Sequence, residues 1–471
     1  MAYRFPAFDF SQIVLWTEPF VPEGTENPLS NDEELLRLGL LSIVDLAPRS
    51  RTRGMWVLKF VRALSAVDLD TAIGRIRRIM DETKRTIREL GPTPRRYFQM
   101  GPDLETKLPF PPSFSLGPRA ALAADQSRPC PTTSATPGMN CGADLLRKRA
   151  WAAYYPGWQL EAAGGPFTLG GISIEIVVLD SGADVNHPAL GAWVSPFKST
   201  SLEDVAGHGS HVVSTICGQA WGTQPSVAVQ LDDNYNVDFI PAGVLPKNAV
   251  RVGNVAKPDP VLGDDGASAF EVDLEVYLKA LIDLVENPSS ADARLLNLSL
   301  GGPEPLALEQ DLLRQIAGNK SLVVAAAGNH QLDDSFTRVL YPAGYPECIS
   351  VGASSRDLHK ADFPHMPWNL SNYGLTNERF AIGRSPVDVY APGRNIVGAL
   401  PVSLLNQSRP CGFKTGTSMA TAFATGIFAV RLSRVAATQK PFYEDAVTAC
   451  NQKLPDLAGL GGHMVAVADF V

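Results

Sequence analysis

Ile172-Ser173-Ile174-Glu175-Ile176-Val177-Val178-Leu179-Asp180-Ser181-Gly182 is a nearly unbroken apolar run closed by a carboxylate and a turn. A run of this kind, rich in β-branched residues and bounded by turn formers, reads as a strand buried on both faces. The pattern returns at Ala249–Val255, Leu295–Leu300, Leu322–Ala327, Ile349–Ala353 and Val387–Tyr390, with amphipathic helical periodicity near 268–286 and 305–317. Apolar strands alternating with helices imply an α/β fold, a mostly parallel sheet with helices on both faces. In such sheets ligands gather beyond the carboxyl ends of the strands, so the residues directly after each run are the first candidates for chemistry.

Asp180 occupies such a place. A carboxylate there can be buried and aimed at an imidazole, or it can simply open a turn before Ser181-Gly182. His208 stands between glycines in Gly207-His208-Gly209-Ser210-His211, where a neutral imidazole can take a proton and later return it. A metal reading of His208 and His211 lacks the helical His-Glu-x-x-His pattern, and no metal site is expected. Gly416-Thr417-Ser418-Met419-Ala420 sets a serine between small residues at the mouth of a long apolar helix. Backbone N–H groups there face any negative charge that develops, although the same residues also make an ordinary helix cap. Asn329, after Val323–Ala327 and Gly328, can donate an amide to an oxyanion or serve as a turn residue. Ser299-Leu300-Gly301-Gly302 forms a polar wall at another strand end. Each feature is ambiguous singly, yet together they supply a nucleophile, a base, an orienting acid and an oxyanion donor.

From Asp144 to the C-terminus the chain resembles a subtilisin-like serine peptidase, family S8. The resemblance is carried by Val178-Leu179-Asp180-Ser181-Gly182 with His187-Pro188, by His208-Gly209-Ser210-His211-Val212, and by Asn297-Leu298-Ser299-Leu300-Gly301-Gly302. Val324-Ala325-Ala326-Ala327-Gly328-Asn329, Tyr341-Pro342-Ala343, Tyr390-Ala391-Pro392-Gly393 and Gly416-Thr417-Ser418-Met419-Ala420 complete it, in the subtilisin order of Asp, His and Ser. The resemblance implies Ser418 as nucleophile, His208 as general base and acid, and Asp180 as the group that orients His208. It implies Asn329, with the Ser418 N–H, as the oxyanion hole, and Ser299, Leu300 and Gly301 as the strand to which a peptide or protein substrate adds. Hydrolysis through an acyl-enzyme is the implied reaction. A specialised processing peptidase or a peptide ligase is the alternative, and a catalytically silent peptide-binding scaffold is a further one that the intact triad and Asn329 count against.

Three departures from the family pattern matter. Ala189 stands where members with a calcium site near the aspartate motif keep an acid, so that site is not expected; Asp233-Asn234 is a loop that could offer ligands or be a solvated turn. No cofactor is expected. Leu340 precedes Tyr341-Pro342 where many subtilisins carry glycine, which should shorten the pocket for the side chain before the cleaved bond. Thr421-Ala422-Phe423 lacks the usual proline and histidine, a change that should leave the helix more regular.

The N-terminal part reads as a separate small α/β domain over 1–100, followed by a Pro/Ser/Thr-rich linker over 101–142 and the peptidase-like domain over 143–471. Ile13–Trp16 and Trp56–Val61 look like strands, and Leu69, Ala72, Ile73, Ile76, Met80, Ile87 and Leu90 recur at helical spacing up to a stop at Gly91-Pro92. Ser65 with Asp68 resembles an acidic capping box, and Arg95–Met100 could return as a strand. Many subtilases carry a prodomain of this size, so the resemblance implies either an intramolecular inhibitor and chaperone or a retained regulatory domain. Arg147-Lys148-Arg149 is a candidate cleavage point or a solvated helix face.

Composition limits the rest. A formal charge of −8, with the part before about 145 nearly neutral, argues against a nucleic-acid partner. No apolar run approaches the ~20 residues of a membrane span, and Met1-Ala2-Tyr3-Arg4-Phe5-Pro6 does not open a secretory signal, so a cytoplasmic location is expected. Of six cysteines, Cys217, Cys348 and Cys450 lie in apolar patterns, and Cys130 and Cys141 could pair if oxidised.

Overall fold

The computed structural model describes residues 7–18, 27–48, 54–98, 173–187, 190, 194–197, 202–204, 206–217, 250–258, 270–329, 338–356, 365–368, 371–374, 376–381, 383, 385–394, 396–401, 411–433 and 463–464. The 101–142 stretch, Cys130, Cys141, Arg147-Lys148-Arg149, Ala189, Asp233-Asn234 and Cys450 lie outside them.

Near the N-terminus β1 (Phe8–Glu18), β2 (Leu40–Asp45), β3 (Gly54–Phe60) and β4 (Thr86–Pro94) form an antiparallel sheet in the order β2-β3-β1-β4. Two helices accompany it, α1 (Glu33–Arg37) and α2 (Ala66–Glu82). Alternation along the strands divides their apolar residues between two cores. Ile13 and Leu15 pair across with Leu58 and Trp56 and pack with Ala72, Ile76 and Met80 of α2. Val14, Trp16, Met55 and Val57 take the opposite face and join the core of the larger C-terminal sheet. Both faces of this small sheet are therefore covered.

The N-terminal helix is shorter than its periodicity suggests. Ser65 caps it as expected, accepting from the Asp68 N–H at 3.2 Å and donating its hydroxyl to the Asp68 carboxylate at 2.9 Å. It ends at Glu82, however, and Lys84 turns the chain at φ 56°. Ile87 and Leu90 lie in β4, where they pack on the same core from a strand. Gly91-Pro92 falls inside β4 rather than stopping a helix, which is tolerable because β4 is an edge strand with no neighbour needing the proline N–H. The chain then leaves this sheet as β5 (Tyr97–Phe98).

The C-terminal part carries β6 (Ile174–Asp180), β7 (Val194–Pro196), β8 (Val250–Asn254), β9 (Ala256–Pro258), β10 (Phe270–Val272), β11 (Ala293–Leu298), β12 (Leu300–Gly301) and β13 (Ser321–Ala326). Beyond these come β14 (Cys348–Arg356), β15 (His365–Pro367), β16 (Val389–Pro392), β17 (Ile396–Ala399), β18 (Cys411–Lys414) and β19 (His463–Met464). The main sheet runs β19-β16-β14-β13-β11-β6-β8-β7, parallel throughout, with β15 antiparallel on β14. Every residue of β11 and β13 is buried, which requires cover on both faces of the sheet. That cover comes from α3 (Gly209–Cys217), α4 (Leu274–Glu286), α5 (Ala307–Ala317) and α7 (Thr417–Ser433), while α6 (Asn377–Ala381) is a short turn of helix. Apolar or small on nearly every side, α7 lies across β6, β11, β13, β14 and β16 and packs on α3. The helix expected near 268–286 starts only at Leu274, capped by the Asp273 carboxylate on the Glu275 and Val276 N–H groups, and Phe270–Val272 is strand instead.

Candidate active site

Asp180 is the last residue of β6 and is fully buried. Its Oδ1 accepts from the Ser181 N–H at 2.7 Å and lies 2.6 Å from His208 Nδ1. Because a carboxylate only accepts, Nδ1 carries a proton, and in the neutral ring Nε2 keeps its lone pair. Nε2 of His208 and Oδ2 of Asp180 have no hydrogen-bond partner among the described residues.

His208 is held at the mouth of α3 by close backbone packing. A Cβ at Gly209 would lie 2.0 Å from the Gly182 carbonyl oxygen, so only glycine lets the two loops meet here. Asp204, not among the residues nominated from the sequence, ties these loops together. Its carboxylate accepts from the Ser181 hydroxyl at 2.7 Å, the Gly207 N–H at 2.8 Å and the Ser210 N–H at 2.7 Å. The Ser181 oxygen in turn accepts from the Gly209 N–H at 2.9 Å. Burial holds the Asp204 carboxyl above the usual carboxylate range in spite of these bonds. Its position three residues before Gly207-His208-Gly209 was the only local signal. His211 Nε2 lies 2.9 Å from the Ile396 carbonyl oxygen.

Ser418 sits in the first turn of α7, after Gly416 at φ 155°, and its hydroxyl donates to the Ser299 carbonyl at 2.9 Å. Asn329 follows Gly328, whose φ is 111°. The Asn329 Oδ1 accepts both the Thr417 N–H and the Thr417 hydroxyl at 2.9 Å. These two donors fix the amide's orientation and leave Nδ2 as a buried donor without a partner among the described residues. The structure thus joins Asp180 to His208 in one pair, and holds Asn329 beside Ser418 through Thr417 in another.

The segment Ser299-Leu300-Gly301 does bind a strand, and that strand is the chain's own β5. Leu300 pairs with Phe98 and Gly301 with Tyr97, antiparallel, while β10 pairs with β5 along its other edge. The Phe98 ring lies 5.1 Å from the His208 ring, centroid to centroid. Leu340 is buried close by: a Cβ at Gly301 would meet its Cβ at 3.1 Å, and one at Gly328 would meet its Cγ at 2.6 Å. Its side chain therefore packs against both Gly301 and Gly328.

Residues 171–447 match the family model described as the subtilase family. The chain belongs to the subtilase family. That membership makes it a serine-type endopeptidase. Among relatives of this subtilase, the major intracellular serine protease of Bacillus subtilis is 28% identical over 270 residues, 55% of this chain and 68% of the relative. The subtilisin of Bacillus pumilus is 29% identical over 268 residues, covering 56% and 78%. Fervidolysin from Fervidobacterium pennivorans, a keratinolytic enzyme related to subtilisin, shares the fold at a TM-score of 0.57 and 18% identity, over 99% of this chain and 62% of its own.

Among the described residues of this subtilase, no cluster of three or more His, Cys, Asp or Glu is placed to hold a metal ion. No described helix is long and apolar enough to cross a membrane. Cys217 and Cys348 are buried and unbridged, and burial pushes the Cys217 thiol up to about 12.

Proposed function

We propose that this subtilase cleaves peptide bonds by acyl transfer to Ser418, with Asp180, His208 and Asn329 in the roles described above, and that its N-terminal part is an intramolecular inhibitor. The observation that carries the first half is a pair of buried atoms without a partner among the described residues, His208 Nε2 and Asn329 Nδ2. A buried polar atom left unpaired is costly, and here each matches something the reaction needs. Rotation of the Ser418 hydroxyl off the Ser299 carbonyl presents its proton to Nε2. The Oγ–carbonyl bond forms as that proton moves to His208, and the developing oxyanion takes the Nδ2 hydrogen and the Ser418 N–H. His208 then protonates the leaving amine as the C–N bond breaks, and water repeats the sequence on the acyl-enzyme. Product masses from a peptide library test this: new free carboxyl termini support hydrolysis, whereas rejoined peptides favour ligation and intact peptides refute the reading.

Inhibition by the N-terminal part is supported by β5 lying between β12 and β10, where a substrate strand would lie. Glu89 adds a second attachment. Its carboxylate accepts the Ala307 and Leu308 N–H groups at 3.1 and 2.8 Å, capping α5 from across the contact, although burial raises its pKa. Val14, Trp16, Met55 and Val57 bury the apolar area that holds the two parts together. Phe98→Ala in the full chain removes the ring over His208, and burial of such a ring is worth about 1.5–3 kcal/mol. The initial rate on an added peptide should rise by about tenfold or more. An unchanged rate would count against inhibition by β5.

Leu340 is proposed to restrict the residue before the cleaved bond to small side chains. Leu340→Gly should raise kcat/KM for Phe relative to Ala at that position by at least about tenfold, the range for a few methylenes in a pocket. An unchanged ratio would show that Leu340 does not line that pocket. An intracellular site of action is part of the same proposal, after the name of the Bacillus subtilis relative.

A further inference from the structure

The residue just before β5 is as completely buried as anything in the core. Arg96 and Glu309 both have fully buried side chains, and the guanidinium donates through Nη2 to Oε2 at 2.6 Å and through Nε to Oε1 at 3.3 Å. The Tyr345 hydroxyl donates to the same Oε2 at 2.8 Å. Burial works against the Arg96 cation, but the Glu309 carboxylate outweighs it and holds the guanidinium charged, above its usual range. Glu309 stands in the first turn of α5, where an acid ordinarily serves the helix terminus. Here the Ala307 and Leu308 N–H groups of that turn are taken by Glu89, and the Glu309 carboxylate turns instead to Arg96 and Tyr345.

The backbone around Arg96 is arranged for a strand rather than for this one side chain. Its carbonyl accepts from the Val272 N–H at 2.9 Å. Gly302 lies so close that a Cβ there would sit 1.9 Å from the Arg95 carbonyl oxygen and 3.0 Å from Arg96 Nη1. A side chain at Gly302 would close the space that the guanidinium enters. Arg95 is held more loosely, by Glu271 at 2.9 Å, and Glu271 also reaches Lys257 of the opposite wall at 3.6 Å. Glu271 therefore keeps a cation when the strand leaves, while the ion-pair partner of Glu309 departs with Arg96.

We infer that Glu309 makes this subtilase select substrates with arginine three residues before the residue whose carbonyl Ser418 attacks. The inference rests on the peptidase reading above and assigns its substrate class. A substrate in the register of Tyr97 on Gly301 and Phe98 on Leu300 brings its next residue opposite Ser299, whose carbonyl holds the Ser418 hydroxyl. Its residue equivalent to Arg96 then enters the Glu309 pocket. Neutral side chains leave a buried carboxylate without a cation, and acidic ones add like charge. Lysine restores the charge with one point contact in place of the two-pronged guanidinium.

The test uses the full chain, assayed once its rate is constant, on internally quenched peptides that differ only in Arg, Lys, Leu or Glu at that position. Wild type should prefer Arg over Leu by about 100-fold in kcat/KM, the order expected when a buried ion pair loses one member. Glu309→Gln should bring that ratio to within about threefold of unity, with cleavage of the Leu peptide showing that the variant is folded. Equal cleavage of the Arg and Leu peptides by wild type overturns the inference and leaves the peptidase reading standing, without depending on any variant. A ratio that survives Glu309→Gln overturns the assignment to Glu309. Cleavage of none of the peptides, together with no reaction of Ser418 with a fluorophosphonate, overturns both.

Discussion

Ser418→Ala is expected to abolish fluorophosphonate labelling and to lower kcat for peptide hydrolysis by about 10⁶, the loss reported for the serine or histidine of subtilisin, a relative. The size follows from the way these residues act as a unit. Without Oγ there is nothing for His208 to deprotonate, and what remains is binding and the oxyanion donors, which still accelerate attack by water. Asp180→Asn should cost less, about 10⁴, because the ring stays in place but its tautomer inverts. Asp180 Oδ1 is the partner of His208 Nδ1 at 2.6 Å, and an amide turned to donate there would put the ring proton on Nε2, where Ser418 needs a lone pair. Labelling by a fluorophosphonate followed by intact mass separates these cases. Wild-type rates in either variant would remove Ser418 or Asp180 from the mechanism.

The C-terminal sheet was legible because its signal is local. The run Ile174–Leu179 is apolar at nearly every position, and such runs have few options besides a strand covered on both faces. Asp180, His208, Asn329 and Ser418 could be nominated because glycines mark their turns, and Gly182, Gly207, Gly328 and Gly416 do adopt positive φ. What the sequence could not convey is pairing between distant parts. Glu309 reads as an ordinary first-turn acid, and its partner Arg96 is 213 residues away. The unbroken run Ile13-Val14-Leu15-Trp16 did carry a hint, since a sheet with one face in water would alternate. Val14 and Trp16 are apolar because they face the core of the C-terminal sheet. Periodicity misled where two elements share one apolar set: Ile76, Met80, Ile87 and Leu90 serve a single core, two from a helix and two from a strand.

Asn329 offers the sharper test of how the site is organised, because its two ends do different things. Oδ1 holds the first turn of α7 through Thr417, and Nδ2 is a donor without a partner among the described residues. Asn329→Ala removes both functions, so a fall in kcat could come from a displaced Ser418 as easily as from a lost donor. Asn329→Asp keeps an oxygen for the Thr417 N–H and hydroxyl while replacing the donor with a second acceptor. In this variant Ser418 should stay in place, and KM should change little. The tetrahedral intermediate would then face an anion instead of an N–H. A loss of about 10²–10³ in kcat is the cost of one such donor in subtilisin, and Asn329→Asp should reach at least that, since repulsion is added to the missing bond. The ground-state carbonyl carries little charge, so the effect falls on kcat rather than on KM. A rise in KM with kcat preserved would instead mean that the Asn329 amide binds substrate in its resting form and that the oxyanion is stabilised by other donors.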